Sequence, residues 1–217
     1  VMRLIDEQGK LTDELKVDIL ASDTLQRVED LYRPYKQKRR TRATMAKERG
    51  LEPLAQLILS NSVLEGNLDD IALAYIDEEK NVNNADEAFN GAMDIIAEIV
   101  SDDANNRKYL RRIYYEKGIL STEAINKDEK SVYEMYYSYS EKVKTIPNHR
   151  ILAINRGEAE KFLRVKILVP EDEIIKHLNS KLIQNSNAIT TEYLKKAIVD
   201  GFKRLLSPSI EREIRTI

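Results

Sequence analysis

The sequence predicts a mainly α-helical fold: a multi-helix bundle with helix-turn-helix-like elements and at most a minimal two-stranded sheet. Three observations support this prediction. Glycine and proline, the residues that punctuate turns and breaks, number only 7 and 5 among 217 residues. Apolar residues recur at helical spacing over most of the chain. Capping residues such as Thr12 and Asn84 stand just before these periodic segments.

The first predicted helix opens at Thr12, whose hydroxyl can accept a hydrogen bond from a free backbone N–H group of the first turn. A second helix opens at Ser22 or Thr24 and ends at Pro34, because proline cannot donate the backbone hydrogen bond that a continuing helix requires. We expect the strongly charged segment that follows to be a linker exposed between helices.

Two short helices meet at a tight joint in the next part of the chain. The first is RATMAKER, which Gly50 ends as a left-handed cap. The second is EPLAQLILS, with Pro53 in its first turn. This arrangement predicts a helix-turn-helix-like element, although any helical bundle contains such joints.

Five segments follow in the middle of the chain. A short helix is predicted over 67–77. The strongest periodic signal begins at Asn84 in NADEAFNGAMDIIAEIVSDD, and the next helix, DANNRKYLRRIYYEKG, stops at Gly118. ILSTEAI has the composition of a short strand. KSVYEMYYSYSEKV is predicted to be helical, with Tyr133, Tyr136 and Tyr137 facing inward.

The last third of the chain mixes both kinds of element. Residues 149–156 form a short helix that Gly157 closes, or a strand, because ILAI is rich in β-prone residues. FLRVKILVP alternates as a strand does, ends at Pro170 and could pair with ILSTEAI. Three further helices are predicted: 171–184, 191–206 and one from Ser207.

The final predicted helix shows no stop signal before Ile217. We therefore expect the chain to be a fragment of a longer protein. It divides into two segments, an N-terminal helical region over 1–146 and a region over 147–217 that leads into further domains. At 42% hydrophobic and 33% charged residues, the chain can bury a core.

Composition excludes several classes of protein. Cysteine is absent, which excludes disulfides, thiolate nucleophiles and cysteine metal sites. No apolar run approaches the roughly 18–20 residues that span a bilayer, and VMRLIDEQGK is not a signal peptide. We expect a soluble, cytoplasmic protein with no membrane association.

The residue pattern shows no catalytic or metal-binding motif. No glycine-rich phosphate loop or nucleophile elbow occurs. His149 and His177 are too distant in sequence to form a helical metal pair. The acidic pairs at 69–70 and 102–103 stand at predicted helix starts, where carboxylates stabilise free N–H groups. We predict no enzyme activity, no cofactor, no metal and no small-molecule substrate.

The strongest functional signal is a basic segment over 33–49, with eight Lys or Arg residues and one acid. Its net charge is +7 in a chain whose formal net charge is −2, so the remainder is acidic. Phosphate groups could bind it, or acids of the same fold could pair with it. The candidate contact residues are Lys36, Lys38, Arg39, Arg40 and Arg42, with a rim of Arg33, Lys47 and Arg49.

Tyrosine is the commonest aromatic residue, with 11 copies against 3 Phe and no Trp. Tyr32 and Tyr35 interleave with the basic segment, and a second group clusters around Tyr136. Such rings can stack on unpaired bases at about 1–3 kcal/mol each. Packing in the core is the commoner use of amphipathic tyrosine, and we favour it for both groups.

Four stretches resemble the bacterial Tex family of transcription accessory proteins. They are EQGKLTDELKVDILASDT, DLYRPYKQKRRTRATMAKERGLEPLA, PNHRILAINRGEAEKFLRVKI and DGFKRLLSPSIEREIR. Their order and spacing agree with the family across nearly the whole chain. The second stretch contains the basic segment, so the resemblance gives that charge a functional context.

The resemblance implies a bacterial, cytoplasmic, multidomain protein that binds nucleic acid and is related to a eukaryotic elongation factor. In that family a helical N-terminal region precedes a YqgF-type RNase H-like domain, helix-hairpin-helix modules and a C-terminal S1-type RNA-binding domain with an OB fold. The present sequence corresponds to the helical region. The domains that the resemblance places downstream, including the principal binding domain, are not contained in it.

Two functional hypotheses follow. In the first, the chain is a non-enzymatic scaffold of a transcription accessory protein that adds weak, salt-dependent and sequence-independent phosphate contacts to RNA or DNA. In the second, it is a protein-interaction or architectural module that docks other domains or the transcription machinery without touching nucleic acid. The basic segment favours the first hypothesis, and the acidic remainder favours the second.

Overall fold

The computed structural model describes residues 1–216 and confirms that the chain is mainly α-helical. Most of the helices contain fewer than 15 residues, and the longest lies near the middle of the chain. The helices are α1 (Met2–Asp6), α2 (Asp13–Leu20), α3 (Leu25–Tyr32), α4 (Arg42–Glu48), α5 (Glu52–Ser60), α6 (Leu68–Leu73), α7 (Ala85–Asp102), α8 (Ala104–Lys117), α9 (Asn148–Ala159), α10 (Glu171–Leu182), α11 (Thr191–Asp200) and α12 (Ser207–Thr216).

Shorter elements complete the fold. The strands are β1 (Ile119–Ala124), β2 (Ser138–Lys142) and β3 (Leu163–Leu168). A π-type segment over Gly201–Leu206 connects α11 to α12 without a break. Single 3₁₀ turns occupy Arg33–Tyr35, Glu78–Lys80 and Glu134–Tyr136. Within residues 1–216, no helix has both the length and the apolar content to cross a membrane.

The chain forms two compact units. The first contains Val1–Lys108 and Ile174–Pro208, and the second contains Tyr109–Glu173 and the chain from Ser209 onward. Each unit is thus assembled from segments distant in sequence. The sequence analysis divided the chain linearly, between residues 146 and 147. That boundary describes the order of segments along the chain, and it stays a prediction.

Helix α7 is the centre of the first unit. Its predicted cap is confirmed, since the Asn84 side chain accepts a hydrogen bond from the Glu87 N–H group at 2.9 Å. Helices α4, α5, α6 and α11 and the π-type segment all pack against α7. Phe89, Ile95 and Ile96 are fully buried in this core. Burial of each such side chain contributes about 1.5–3 kcal/mol relative to exposure.

The joint between α4 and α5 has the predicted left-handed cap at Gly50, with φ +76°. The Gly50 N–H group bonds to the Lys47 carbonyl at 3.0 Å, and the Leu51 N–H group bonds to the Ala46 carbonyl at 3.2 Å. These two bonds form a Schellman motif, which satisfies carbonyl groups at the end of α4. Leu51 is buried, so the joint is fixed against the core.

The second unit contains a three-stranded antiparallel sheet in the order β2–β1–β3. Leu120 on the central strand lies opposite Glu141 on β2 and Ile167 on β3. The predicted pairing of ILSTEAI with FLRVKILVP is confirmed. The expectation of at most two strands was too low, because β2 adds a third. Helix α9 packs against β3, and the strand alternative for 149–156 is wrong.

The predicted helix in KSVYEMYYSYSEKV is the main error of the sequence analysis. The segment forms one 3₁₀ turn and then β2, which pairs with β1 from Glu123↔Ser138 to Ile119↔Lys142. Tyr133 and Tyr136 are buried, as predicted from their spacing. The following residues alternate in exposure with period two, and their pairing with β1 outweighs the local helical spacing.

Several predicted helix ends differ from the observed ones. Helix α6 stops at Leu73 rather than near 77, and α10 stops at Leu182 rather than 184. Gly157 lies inside α9 rather than at its end. A Cβ atom at Gly157 would lie 2.7 Å from Leu163 Cδ1, so this glycine permits the close packing of α9 on β3.

Candidate nucleic-acid interface

The basic segment over 33–49 begins as an irregular connection between α3 and α4. Helix α3 ends at Tyr32, and a 3₁₀ turn containing Pro34 follows. Thr41 then caps α4: its hydroxyl accepts a hydrogen bond from the Thr44 N–H group at 3.1 Å, while the Thr44 hydroxyl accepts one from the Thr41 N–H group at 2.7 Å. The cationic residues 36–40 therefore lie on a non-helical loop between two defined ends.

Three acidic side chains lie on the face of α7 with which the basic segment pairs. Asp94, Glu98 and Asp102 follow one another at intervals of four residues, which places them on one face of the helix. Their exposure decreases along the helix, with side chains 27%, 17% and 9% exposed. We call these three residues the acid ladder.

The acid ladder holds two of the predicted contact residues. Arg33 Nε lies 3.0 Å from Asp102 Oδ1, and Lys38 Nζ lies 3.2 Å from Glu98 Oε1. Lys38 also pairs with Asp102. The Thr41 hydroxyl donates to Glu98 Oε2 at 3.0 Å. Arg33 and Lys38 thus serve as anchors of the loop on α7, with their charges neutralised inside the first unit.

The remaining predicted residues face solvent. Within residues 1–216, four of them have no ion pair within 4 Å: Lys36, Arg39, Arg42 and Arg49. Two others make only exposed pairs, Arg40 with Glu48 at 4.0 Å and Lys47 with Glu52 at 3.8 Å. Exposed pairs of this kind contribute about 0–1 kcal/mol, so they hold the side chains weakly.

Asp94 connects the basic segment to a neighbouring element. Burial raises the pKa of the Asp94 carboxyl, while the positive charges of Arg204 and Arg42 oppose that increase. Arg204 lies 3.4 Å from Asp94 on the π-type segment, and Arg42 begins α4. Asp94, the first residue of the acid ladder, therefore interacts with cations of both the π-type segment and α4.

The tyrosines next to the basic segment belong to the core. Tyr32 and Tyr35 are half-buried against the apolar cluster formed by Ile5, Ile19 and Leu31. In the second unit, Tyr136 packs edge-on to Tyr139 with ring centroids 5.3 Å apart. The geometry supports the packing role that we favoured for both groups.

Both acidic pairs were predicted to lie at helix starts, and one residue of the second pair does not. Asp69 and Asp70 do lie in the first turn of α6, and Asp103 caps α8 by accepting from the Asn106 N–H group at 2.7 Å. Asp102, in contrast, is at the end of α7 and pairs with basic side chains. Among residues 1–216, no group of three or more His, Asp or Glu side chains could hold a metal ion.

Sequence analysis missed the acid ladder as a structural element. Its signal is present in DIIAEIVSD, where acids recur every fourth residue on an otherwise apolar helix. Half-buried acids on a core helix require a partner, and the nearby basic segment supplies it. The pattern could have predicted that part of the positive charge is neutralised, but the choice of Arg33 and Lys38 depends on tertiary packing.

Comparison with known proteins identifies the family. Residues 66–217 match the family model described as Tex central region-like. The protein named "Protein tex" from Bordetella pertussis is 38% identical over 174 residues, which cover 79% of this chain and 22% of that protein. The protein named "Uncharacterized protein YdcI" from Bacillus subtilis is 49% identical over 218 residues, covering 99% of this chain and 30% of that protein.

A more distant relative is human. "S1 RNA-binding domain-containing protein 1" from Homo sapiens is 26% identical, covering 97% of this chain and 22% of that protein. The chain belongs to the Tex family, and the resemblance found from its motifs is confirmed. It spans less than a third of the length of the curated relatives that it matches.

Proposed function

We propose that this chain is a non-enzymatic helical scaffold of a cytoplasmic, Tex-family transcription accessory protein. It contributes auxiliary, sequence-independent contacts to the phosphates of RNA or DNA. The observation that carries the proposal is the division of the basic segment into anchors and exposed cations. The names of two relatives, "Transcriptional accessory protein Tex" and "S1 RNA-binding domain-containing protein 1", are consistent with this role.

The anchors are what distinguish this loop from a merely solvated one. Arg33, just before the loop, and Lys38, at its middle, both pair with α7, so the loop presents its other cations from a defined position. Lys36, Arg39 and Arg40 then project from the surface with weak or no ion pairing. A loop fixed beforehand loses less conformational freedom when it binds than a flexible one does.

The contacts are expected to be with the phosphate backbone rather than with bases. Residues 36–40 are not helical, so they do not present a row of side chains that could enter a groove. Phosphate contacts position a protein on nucleic acid without distinguishing sequences. They also release counterions, which makes the affinity strongly dependent on salt.

A titration of labelled nucleic acid with the 217-residue chain tests the proposal. Fluorescence anisotropy would be recorded with a mixed-sequence 20-nucleotide RNA and a 20-base-pair DNA at several salt concentrations. We expect Arg39→Ala combined with Arg40→Ala to weaken binding to both. The slope of log affinity against log salt should fall by about 1.8 on duplex DNA and about 1.4 on single strands.

The matched control replaces Lys127 and Lys130 by alanine. Both are exposed in the second unit, and the substitution removes the same charge. The control should leave the affinity and the salt slope nearly unchanged. If the Arg39 and Arg40 substitutions have no more effect than the control, the basic segment does not contact phosphates.

A second candidate function is that of a protein-docking or architectural module. The observation that favours it is a set of apolar side chains on α2 and α3, since Val17, Leu20 and Leu25 are 64%, 66% and 75% exposed. Replacing Leu20 and Leu25 by lysine would abolish binding to a purified transcription component under this alternative. Absence of RNA and DNA binding at low salt, with such protein binding present, would favour it over phosphate contact.

A further inference from the structure

The three-stranded sheet of the second unit has two outer strands, and their outer edges differ. On β3, the Ile167 N–H group donates to the Glu211 carboxylate of α12 at 3.2 Å rather than to β1. Helix α9 also packs against β3. Covering a strand edge in this way protects it from pairing with other chains. The edge of β2 has no such cover.

The register shows which backbone groups of β2 face outward. At the end of the strand, the Val143 N–H group donates to the Gly118 carbonyl at 2.9 Å, so these two residues form a hydrogen-bonded pair. Such pairs alternate with non-bonded pairs along antiparallel strands. The backbone groups of Ser138, Ser140 and Lys142 therefore point away from β1. We call these three residues the open edge.

The open edge offers backbone groups to a further strand. The Lys142 carbonyl accepts hydrogen bonds from the Thr145 and Ile146 N–H groups, both at 3.1 Å. Within residues 1–216, the backbone groups of Ser138 and Ser140 have no hydrogen-bond partner on this side, and both residues are exposed. A row of unpaired N–H and C=O groups on an exposed strand is a template for pairing.

The two faces of β2 determine what a further strand would contact. The residues of the open edge have their side chains on the exposed face of the sheet. On the other face, Tyr139 and Val143 are half-buried and pack against the apolar cluster of the second unit. Residues directly opposite one another on neighbouring strands share a face. A further strand would thus extend the apolar cluster with one set of side chains and lie beside the open edge with the other.

The exposed face of the sheet is cationic. It carries three cations and one acid, namely Lys142, Arg164, Lys166 and Glu123. The acid of β2, Glu141, lies on the other face and is neutralised by Arg150 at 2.7 Å. A lysine on an edge strand discourages pairing with another cationic strand, whereas an acid directly opposite it stabilises the pair. The charge therefore favours a strand that is acidic on its exposed face.

We propose that the open edge binds an extended segment of a partner protein, apolar on one face and acidic on the other, which joins the sheet as an antiparallel fourth strand. Main-chain hydrogen bonds to Ser138 and Ser140 supply affinity, and alternate side chains supply the preference for this segment. Antiparallel pairing continues the arrangement of the existing strands. This inference goes beyond phosphate contact and does not depend on it.

The test uses variants of the 217-residue chain. Ser140→Pro removes an N–H group that faces outward, a position at which edge strands tolerate proline, so pairing with β1 is retained. Ser140→Ala keeps that N–H group and is the matched control. Lys142→Glu reverses the charge of the open edge, and Lys16→Glu makes the same change at an exposed position of α2. Circular dichroism and urea unfolding check the folding of each variant.

The probe is a fluorescein-labelled nine-residue peptide in which valine and glutamate alternate, and a second probe has lysine in place of glutamate. By fluorescence anisotropy, we expect the unsubstituted chain to bind the glutamate probe at least tenfold more tightly than the lysine probe. Ser140→Pro should lower affinity for the glutamate probe at least tenfold. Lys142→Glu should abolish the preference for glutamate. Ser140→Ala and Lys16→Glu should change neither affinity nor preference.

Modified probes give a result that does not depend on the folding of any variant. In the proposed antiparallel pairing, the glutamate residues lie opposite the open edge and their N–H groups face β2, while the valine N–H groups face solvent. A probe that is N-methylated on its glutamate residues should therefore fail to bind. A probe that is N-methylated on its valine residues should still bind.

Three outcomes would overturn the inference. The first is a folded Ser140→Pro variant that binds the glutamate probe as tightly as the unsubstituted chain does. The second is a dimer, detected by light scattering, that Ser140→Pro dissociates, because the open edge would then pair with a second copy of the chain. The third is displacement of the glutamate probe by oligothymidylate as effectively as by unlabelled peptide, because the surface would then bind any polyanion.

Discussion

Lys38 Nζ lies 3.2 Å from Glu98 Oε1, which joins a residue of the basic segment to the middle of the acid ladder. The Lys38 side chain is 21% exposed, although it stands in the most cationic part of the sequence. Its charge is neutralised by ion pairs within the fold, whereas Lys36, two residues earlier, is exposed. Within one loop, Lys38 therefore has a structural role, while Lys36 is available for binding.

Lys38→Met should lower the free energy of unfolding by about 1–3 kcal/mol, because it leaves Glu98 and Asp102 partly buried with one cation fewer. Lys36→Met removes the same charge from an exposed position and should change stability by less than about 0.5 kcal/mol. Urea denaturation followed by circular dichroism measures both. Equal destabilisation by the two substitutions would contradict the assignment of Lys38 as an anchor.

The helical elements were largely predictable because their signals are local. Asn84 and Thr41 precede periodic segments and cap α7 and α4 as their residue types favour. Gly50 adopts the left-handed conformation that a helix end requires. Strand β2 was missed because its conformation depends on β1, whose paired residues are 15 to 23 positions away in sequence. Local spacing of tyrosines could not reveal that partner.

The residues of the candidate site were predictable from sequence, but which of its cations pair with acids and which stay exposed was not. The excess of positive charge over 33–49 is visible in the sequence. Which cations are neutralised depends on Asp102 and Glu98, which are more than 55 residues away from Lys38.

The ion pair between Arg107 and Asp30 should be the most sensitive polar contact of the first unit. Arg107 Nε donates to Asp30 Oδ1 at 3.1 Å, and the two side chains are only 1% and 2% exposed. Asp30→Ala should lower the free energy of unfolding by about 3–5 kcal/mol, because it leaves a buried guanidinium without its carboxylate. Urea unfolding monitored by circular dichroism measures the loss.

A second variant tests whether the charge or the packing matters. Asp30→Leu combined with Arg107→Met replaces the pair by apolar side chains and should recover most of the lost stability, since such replacements are often close to neutral. Asp23→Ala, at an exposed position seven residues away, serves as the control and should be nearly silent. A double variant as unstable as Asp30→Ala would show that lost packing, rather than an unpaired charge, causes the effect.

Gly201 should resist substitution because it allows the π-type segment to approach α7. A Cβ atom at this position would lie 2.8 Å from the Ala97 carbonyl oxygen and 3.0 Å from its Cα atom. Gly201→Ala should therefore destabilise the chain by about 1–3 kcal/mol, in spite of the helix propensity of alanine. Gly91→Ala should cost less, because its Cβ atom would meet the end of a side chain, Leu51 Cδ1, rather than backbone atoms. Thermal unfolding of both variants compares them, and the reverse order would contradict this account.

Glu211 of α12 provides a pH-dependent contribution to stability in the second unit. Its carboxylate accepts a hydrogen bond from the Ile167 N–H group of β3 at 3.2 Å. Burial raises the pKa of the Glu211 carboxyl and the negative charge of Glu158 adds to this, while the Ile167 hydrogen bond and the charges of Arg215 and Lys166 oppose the increase. Because the folded-state pKa is raised, the folded chain holds this proton more tightly than the unfolded chain does.

The Glu211 contribution is therefore fully present below the unfolded-state pKa of about 4.3 and is lost as the pH rises through the raised folded-state pKa. Glu211→Gln, which keeps an oxygen for the Ile167 N–H group but does not ionise, should gain stability relative to the unsubstituted chain between pH 4 and pH 7. Glu116→Gln alters an exposed carboxyl and should show no such trend. Urea unfolding at both pH values measures the difference, and a gain that is the same at pH 4 and pH 7 would exclude titration of Glu211 as its source.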